Sequence, residues 1–240
     1  MFRFKQFSVR QEVSAMKVGT DGVLLGAWAT VLPEDRLALD VGTGTGVIAL
    51  MLAQRSATAI SGEKPGLRIL GIDLDEAAAG EAAANFAASP WADRLTARAD
   101  SLQSFVSEQA QTPVFVPKFD LIVSNPPFFA ADVAAPDGRR SAARQCGSLP
   151  PSELLAAGAL LLSPSGRLAV IYPPEEASGF RLEAESSGLY LSRQTRVISV
   201  AGQPPKRLLM EFTRIPGHPR FDDLVIGSAE YRALTGDFYL

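Results

Sequence analysis

"LALDVGTGTGVIALMLAQR", residues 37–55, decides the fold. Its first five residues are strand-like. Glycines at 42, 44 and 46 then make a turn, and "VIALMLAQR" (47–55) reads as a helix apolar on nearly all sides, the mark of a buried helix. A strand that feeds a glycine-rich turn and then a helix is the opening unit of a parallel α/β sheet. The same alternation continues outward. "LRILGID" (67–73) is a second strand, and the Ala-rich "EAAAGEAAANFAA" (76–88) is strongly helical, with Asp75 and Glu76 at its positive end and Pro90 to stop it. Strands are expected at 94–99 and 119–123, with a short helix near 102–109 between them.

A helix at 152–162 leads through the turn "SPSG" to a strand at 167–172, and a helix follows at 175–187. The last two strand patterns, 192–200 and 207–213, are joined by "AGQPPK", short enough for an antiparallel hairpin. The expectation is an α/β, Rossmann-like fold: a mostly parallel seven-stranded sheet with an antiparallel C-terminal hairpin. "SATAISGEKPG" (56–66) reads as a surface insertion. Residues 130–151 form the one long irregular stretch, and long loops in compact domains often carry function.

Composition narrows the function classes. The 240 residues hold 23 Lys and Arg against 26 Asp and Glu, a net charge of −3, so no global polycation points to nucleic acid, although a local basic face is still open. The single cysteine, Cys146, cannot form an internal disulfide, and no Cys/His cluster suggests zinc; no metal is expected. The one histidine, His218, sits in the turn-like "PGHPR" and reads as a loop residue, so a Ser-His-Asp mechanism is poorly supported. The N-terminus lacks the apolar core of a signal peptide, and the longest apolar stretch, 154–162, is too short to span a bilayer. A cytoplasmic protein with no membrane association, and a monomer, is expected.

The glycine turn admits two ligand readings. Glycine permits positive φ and lets a ligand approach the backbone with no Cβ in the way. The dinucleotide fingerprint is G-x-G-x-x-G, whereas residues 42–46 read G-x-G-x-G, which weakens a pyrophosphate cradle. S-adenosylmethionine (SAM) has no phosphate, and its methionine end carries an amine that Asp40 is placed to hold while Gly42, Gly44 and Gly46 lie along the ligand. A tight strand-to-helix turn with Asp40 as a local cap uses the same residues. Asp73, ending the second strand, is placed to accept both ribose hydroxyls of an adenosine, and Asp100, after the next strand, faces its adenine end. Three acids at successive strand ends favour a ligand site over three independent caps.

"DLIVSNPPFF" (120–129) supplies the chemistry. Asn125 follows the fourth strand and falls on the same sheet edge as the acids. An exocyclic aromatic amine is a poor nucleophile because its lone pair is delocalised into the ring. Two acceptors on its N–H groups hold the nitrogen towards tetrahedral geometry; the Asn125 side-chain carbonyl and the Pro126 carbonyl are the candidates. Pro126 and Pro127 have no N–H to compete and stiffen the loop, and Phe128 offers a face on which a base stacks. With SAM alongside, the amine would attack the sulfonium methyl in line, a reaction in which positioning does most of the work.

Taken together the chain resembles the class I SAM-dependent methyltransferases, with an NPP(F/Y) amino-methylating signature at 125–128. "FKQFSV" (4–9), "AMKVGTDGVLLGAWA" (15–29), "ALMLAQR" (49–55), "SPWADR" (89–94) and the closing "YRALTGDFYL" are similar to the bacterial tRNA1(Val) (adenine-37-N6)-methyltransferase family. The resemblance implies SAM as cofactor and methylation of the adenine at tRNA position 37. Phe128 stands where better-known members carry tyrosine; stacking survives, a hydroxyl contact does not. NPPF also occurs in guanine-N2 rRNA methyltransferases, and NPP-aromatic sites serve protein glutamine amides. A non-catalytic RNA-binding protein on the same fold is a further alternative.

One methyltransferase domain is expected over 1–240, with a lid and RNA-facing segment at 1–30 and the Rossmann-like core at 36–240. "KVGTDG" (17–22) would fold over the cofactor, with Lys17, Thr20 and Asp21 near its methionine end; Thr20 and Asp21 also read as an N-cap of the following helix. Arg3, Lys5 and Arg10, interleaved with Phe2, Phe4 and Phe7, and the loop arginines Arg139, Arg140 and Arg144 are the candidate contacts to tRNA phosphates.

Overall fold

In the computed structural model, which describes residues 1–58, 66–111, 119–127 and 149–239, the quoted stretch runs through the middle of the main sheet. A short antiparallel hairpin, β1 (Phe2–Arg3) and β2 (Ser8–Val9), comes first, then α1 (Thr20–Trp28). The alternating part runs β3 (Leu37–Val41), α2 (Val47–Thr58), β4 (Arg68–Asp73), α3 (Glu76–Ala87), β5 (Leu95–Ala99), α4 (Leu102–Gln111) and β6 (Phe119–Ser124). It continues with α5 (Pro151–Leu161), β7 (Leu162–Tyr172), α6 (Pro174–Ser186), β8 (Tyr190–Ile198), β9 (Arg207–Thr213), β10 (Arg220–Val225) and α7 (Ala229–Thr235).

The strand order is β10-β8-β9-β7-β6-β3-β4-β5. Only β9 runs antiparallel, between β7 and β8; every other pair in the sheet is parallel. The chain starts at β3, moves through β4 to β5, then crosses back to lay β6 on the other side of β3. That reversal is a topological switch point, where open α/β sheets bind ligands beyond the carboxyl ends of their strands.

Among the described residues the sheet has eight strands where the sequence pattern predicts seven. The extra one, β10, reads "RFDDLV" and buries only Leu224; as an edge strand it carries charge outward and shows no apolar alternation to announce itself. The "SPSG" turn is absorbed into β7 as an irregularity: Phe119 pairs with Leu162, but Leu121 already pairs with Arg167.

Each sheet face has its own core. One gathers Leu25, Leu50, Met51 and Phe86 from α1 to α3; the other gathers Leu154, Leu161, Phe180 and Phe212 around α5 and α6. Phe4 and Phe7 belong to the first core. Phe4 stacks on Phe7 at 4.6 Å between ring centroids and on Tyr239 at 6.1 Å, while Phe7 meets Trp91 edge-on at 5.8 Å. These aromatics therefore anchor the N-terminal hairpin by burial and do not offer faces to RNA. Among the described residues no helix is long and apolar enough to cross a membrane.

Candidate active site

Parallel register brings the relevant residues to one rim. Val41 pairs with Ser124 and Asp40 with Gly71, while Asp73 pairs with Ala99, so Gly42, Asp73, Asp100 and Asn125 all leave their strands on the same edge. The Ser124 hydroxyl donates to the Val41 carbonyl at 2.9 Å, fastening the two strands that flank the switch point.

The glycine turn is held from beneath by β4. The N–H groups of Gly42 and Thr43 both donate to the Ile72 carbonyl, at 2.9 and 3.0 Å, and the Gly44 N–H donates to Asp73 Oδ2 at 2.8 Å. All three glycines have positive φ (70°, 55° and 80°), yet their surroundings differ. A Cβ on Gly42 or Gly44 would meet nothing within 4 Å, whereas one on Gly46 would lie 2.5 Å from Phe86 Cε1. The first two glycines thus expose backbone to an open crevice. The third lets α3 close against the turn.

The three acids occupy distinct settings. Asp40 has no exposed surface; its Oδ2 accepts from the Thr43 hydroxyl at 2.7 Å, and its Oδ1 lacks a well-aligned partner among the described residues. Burial pushes its pKa up to about 7, opposed by the Thr43 hydroxyl and the Ala49 N–H and reinforced by the charge of Asp73. It sits beneath the crevice and braces the turn. Asp73 is half-buried, accepts from the N–H groups of Gly44 and Asp75 (2.8 and 3.0 Å), and burial raises its pKa too. Two bonds leave part of a carboxylate's acceptor capacity open, which is what a diol requires. Asp100 has Arg98 Nη2 2.7 Å from its Oδ2, so its charge is already compensated at the expected adenine end.

The segment 17–22 leads into α1 and packs against the start of α2. A Cβ on Gly22 would sit 3.4 Å from Val47 Cγ1, at the foot of the glycine turn. Gly19, not Thr20 or Asp21, occupies the N-cap and makes no side-chain bond; Thr20 is exposed, and Asp21 pairs with Arg207 Nε at 2.7 Å. The exposed Lys17 donates from Nζ to the Gln11 carbonyl at 3.0 Å.

Asn125 Oδ1 is buried and has no hydrogen-bond partner among the described residues, and buried carbonyl acceptors seldom go unpaired. Pro126 is buried and Pro127 half-buried, so the loop is packed as well as stiff. Phe128, Arg139, Arg140 and Arg144 lie outside the described residues. Arg3, Lys5 and Arg10 are exposed; Lys5 Nζ donates to the Gly236 carbonyl at 2.6 Å, and the Arg10 backbone is bonded to Asn85.

Asn85 and Glu81 escaped the sequence reading. Both are buried on α3, and both reach residues 10–14. A polar pair spaced by four on the inner face of an otherwise Ala-rich helix was the available signal.

The family model of the methyltransferase small domain matches residues 23–176. A tRNA1(Val) (adenine(37)-N6)-methyltransferase of Bacteroides thetaiotaomicron is 43% identical over 245 residues, covering 100% of this chain and 97% of that protein. The enzyme of the same name from Flavobacterium johnsoniae is 43% identical over 247 residues, covering 100% and 99%. Among solved structures, a predicted O-methyltransferase from Agrobacterium tumefaciens superposes with a TM-score of 0.64 at 14% identity, covering 91% of this chain and 96% of the other, a likeness of fold.

Proposed function

Because the chain belongs to the tRNA1(Val) (adenine(37)-N6)-methyltransferase family, we propose that it methylates N6 of an adenine in tRNA, at position 37, with Asn125 at the reaction centre. The observation that carries this reading is the buried Asn125 Oδ1 at the switch point, unpaired among the described residues. An orphaned acceptor costs about 1–3 kcal/mol of desolvation, a cost removed when a donor arrives. An adenine amine brings two.

The cofactor is S-adenosylmethionine, and the residues present fit it. Gly42 and Gly44 leave open space where side chains would stand, and Asp73 keeps acceptor capacity for the ribose hydroxyls. Lys17, Thr20 and Asp21 would close over the methionine end, Asp40 would brace the turn beneath it, and Asp100 would border the adenine. When bound, the cofactor supplies a methyl carbon on a positively charged sulfur.

The chain's own work is orientation. Asn125 Oδ1 and the Pro126 carbonyl each accept one N–H of the target amine, which turns its lone pair out of conjugation with the ring. Pro126 and Pro127 contribute no N–H that would compete for those acceptors. Phe128 stacks the base and fixes its plane. No strong base is needed, because the amine becomes far more acidic once methylated and its proton can leave afterwards. Arg3, Lys5, Arg10, Arg139, Arg140 and Arg144 hold phosphates and set the register of the tRNA. In this reading the chain acts as a cytoplasmic monomer and one methyltransferase domain over 1–240, with residues 1–30 facing the RNA and 36–240 forming the core.

The test is incubation of the protein with isotopically labelled SAM and unmodified valine tRNA, with the product nucleoside mapped by mass spectrometry. N6-methyladenosine at position 37 is expected. Asn125→Ala should keep cofactor affinity and lose most turnover; normal turnover in that variant would remove Asn125 from the mechanism.

A further inference from the structure

Asn85 is 2% exposed, in the last turn of α3, and its three side-chain hydrogen bonds all leave its own helix. Its Oδ1 accepts from the Arg10 N–H at 2.8 Å, and its Nδ2 donates to the Arg10 carbonyl and the Thr45 carbonyl, both at 2.9 Å. Thr45 belongs to the glycine turn. Arg10 begins a strap, residues 10–18, that crosses α3 on its way to α1. One helical turn before Asn85, Glu81 is 8% exposed and accepts from the N–H groups of Glu12, Val13 and Ser14 at 2.6, 3.2 and 3.0 Å. The far end of the strap is pinned by Gln11, whose side chain accepts from the Val18 N–H at 2.9 Å.

The two helix residues therefore do different jobs. Glu81 holds the strap alone. Asn85 holds the strap and the turn with one rigid amide, so no rotation of its side chain keeps one set of bonds while the other segment moves. A buried amide bonded on both ends fixes the relative position of what it bridges. Thr45 lies between Gly44, which exposes backbone to the crevice, and Gly46, which packs on α3.

We propose that Asn85 is a positioning residue that couples the RNA-facing strap to the cofactor turn, so that cofactor bound over Gly42–Gly46 and tRNA bound at Arg10 strengthen one another. This rests on the function proposed above for the same site. The coupling is reciprocal by thermodynamic necessity: ordering the turn holds the strap, and ordering the strap holds the turn. Asn85 reaches neither ligand and acts only through Thr45 and Arg10. In Asn85→Asp the acceptor on Arg10 N–H survives, while lone pairs replace the donors to the two carbonyls.

The experiment combines calorimetric titration of SAM, hydrogen exchange at amides 10–14 with and without saturating SAM, and steady-state kinetics on a valine tRNA transcript. In the unaltered protein SAM should slow exchange at 10–14 at least threefold. Asn85→Asp should weaken SAM binding about tenfold, the scale of one or two lost hydrogen bonds, and abolish the effect of SAM on strap exchange. Glu81→Gln should speed strap exchange and raise the KM for tRNA, and should weaken SAM binding less than Asn85→Asp does, because it touches the turn only through the strap. Strap exchange indifferent to SAM in the unaltered protein, or an Asn85→Asp variant that binds SAM normally, would overturn the proposal. Should Asn85→Asp fail to fold, exchange in the unaltered protein decides alone. A protein that binds SAM with the coupled exchange but leaves the tRNA unmethylated would sink the function and spare the coupling.

Discussion

Replacing Asp40 by Asn should make the protein relatively more stable as pH rises. The Asp40 carboxyl has no exposed surface and its pKa is pushed up to about 7 from an ordinary 3.8, mainly by burial. With the folded value raised, the native state binds more protons than the unfolded chain between 3.8 and 7, so stability falls as pH rises through that window and levels off above it. Three units correspond to about 4 kcal/mol in all, of which roughly 2–3 kcal/mol is lost between pH 5 and pH 8. Asparagine keeps an oxygen for the Thr43 hydroxyl but cannot ionise. At pH 5, where Asp40 is neutral, the variant should be equal to or less stable than the parent, because its NH2 group has no obvious acceptor. At pH 8 the comparison should have moved in the variant's favour by roughly 2–3 kcal/mol. Urea unfolding followed by circular dichroism at pH 5, 6, 7 and 8 measures it, and subtracting the two curves removes the contributions of groups that Asp40 does not touch. Parallel stability profiles for the two proteins would refute the reasoning, since they would mean that Asp40 carries its charge at no cost.

Gly46→Ala should destabilise by about 2–4 kcal/mol, combining left-handed strain with overpacking on Phe86, whereas Gly42→Ala should cost only the strain, about 1–2 kcal/mol; thermal melts of the two variants separate the terms. Asp73→Ala should weaken SAM binding by about 1–3 kcal/mol, and unchanged affinity in calorimetry would count against the ribose assignment. Burial pushes the Glu81 pKa up, but the Ser14 hydroxyl and the N–H groups of residues 12–14 outweigh it and hold the value below the ordinary glutamate range. The stability it contributes is present above that range and lost as pH falls through the folded value, so exchange at amides 12–14 should accelerate on acidification before global unfolding. Arg10→Ala should weaken tRNA binding and make its dependence on salt concentration shallower, while SAM affinity holds; an unchanged salt slope would take Arg10 off the phosphate path.

How much of this was legible beforehand varies with how local the signal is. The strand, turn and helix at 37–55, the Ala-rich α3 and the strand ends at Asp73 and Asn125 were readable because each is written in consecutive residues. Period, glycine and proline are local facts. Strand β10 was not readable: only Leu224 is buried, and "RFDDLV" becomes a strand by pairing with β8, a partner more than twenty residues away in sequence. Phe4 and Phe7 misled for a related reason. Aromatics alternating with cations read as an RNA-binding surface until Trp91 and Tyr239 are known to lie over them. Asp40 is legible as a residue near a strand end, but its complete burial depends on how Thr43 folds back over it. Glu81 and Asn85 are legible as a polar pair four residues apart on one helix face, but only the path of residues 10–18 shows what that face holds.

The pairing of Phe4 and Lys5 with Phe238 and Tyr239 has a bearing on how the molecule is assembled. Lys5 N–H bonds the Phe238 carbonyl, and Phe4 stacks on Tyr239, so this contact closes only when two segments far apart in sequence have met. Closing so long a loop is costly in chain entropy, so this clasp forms after the local strand-turn-helix units and is among the first contacts to open.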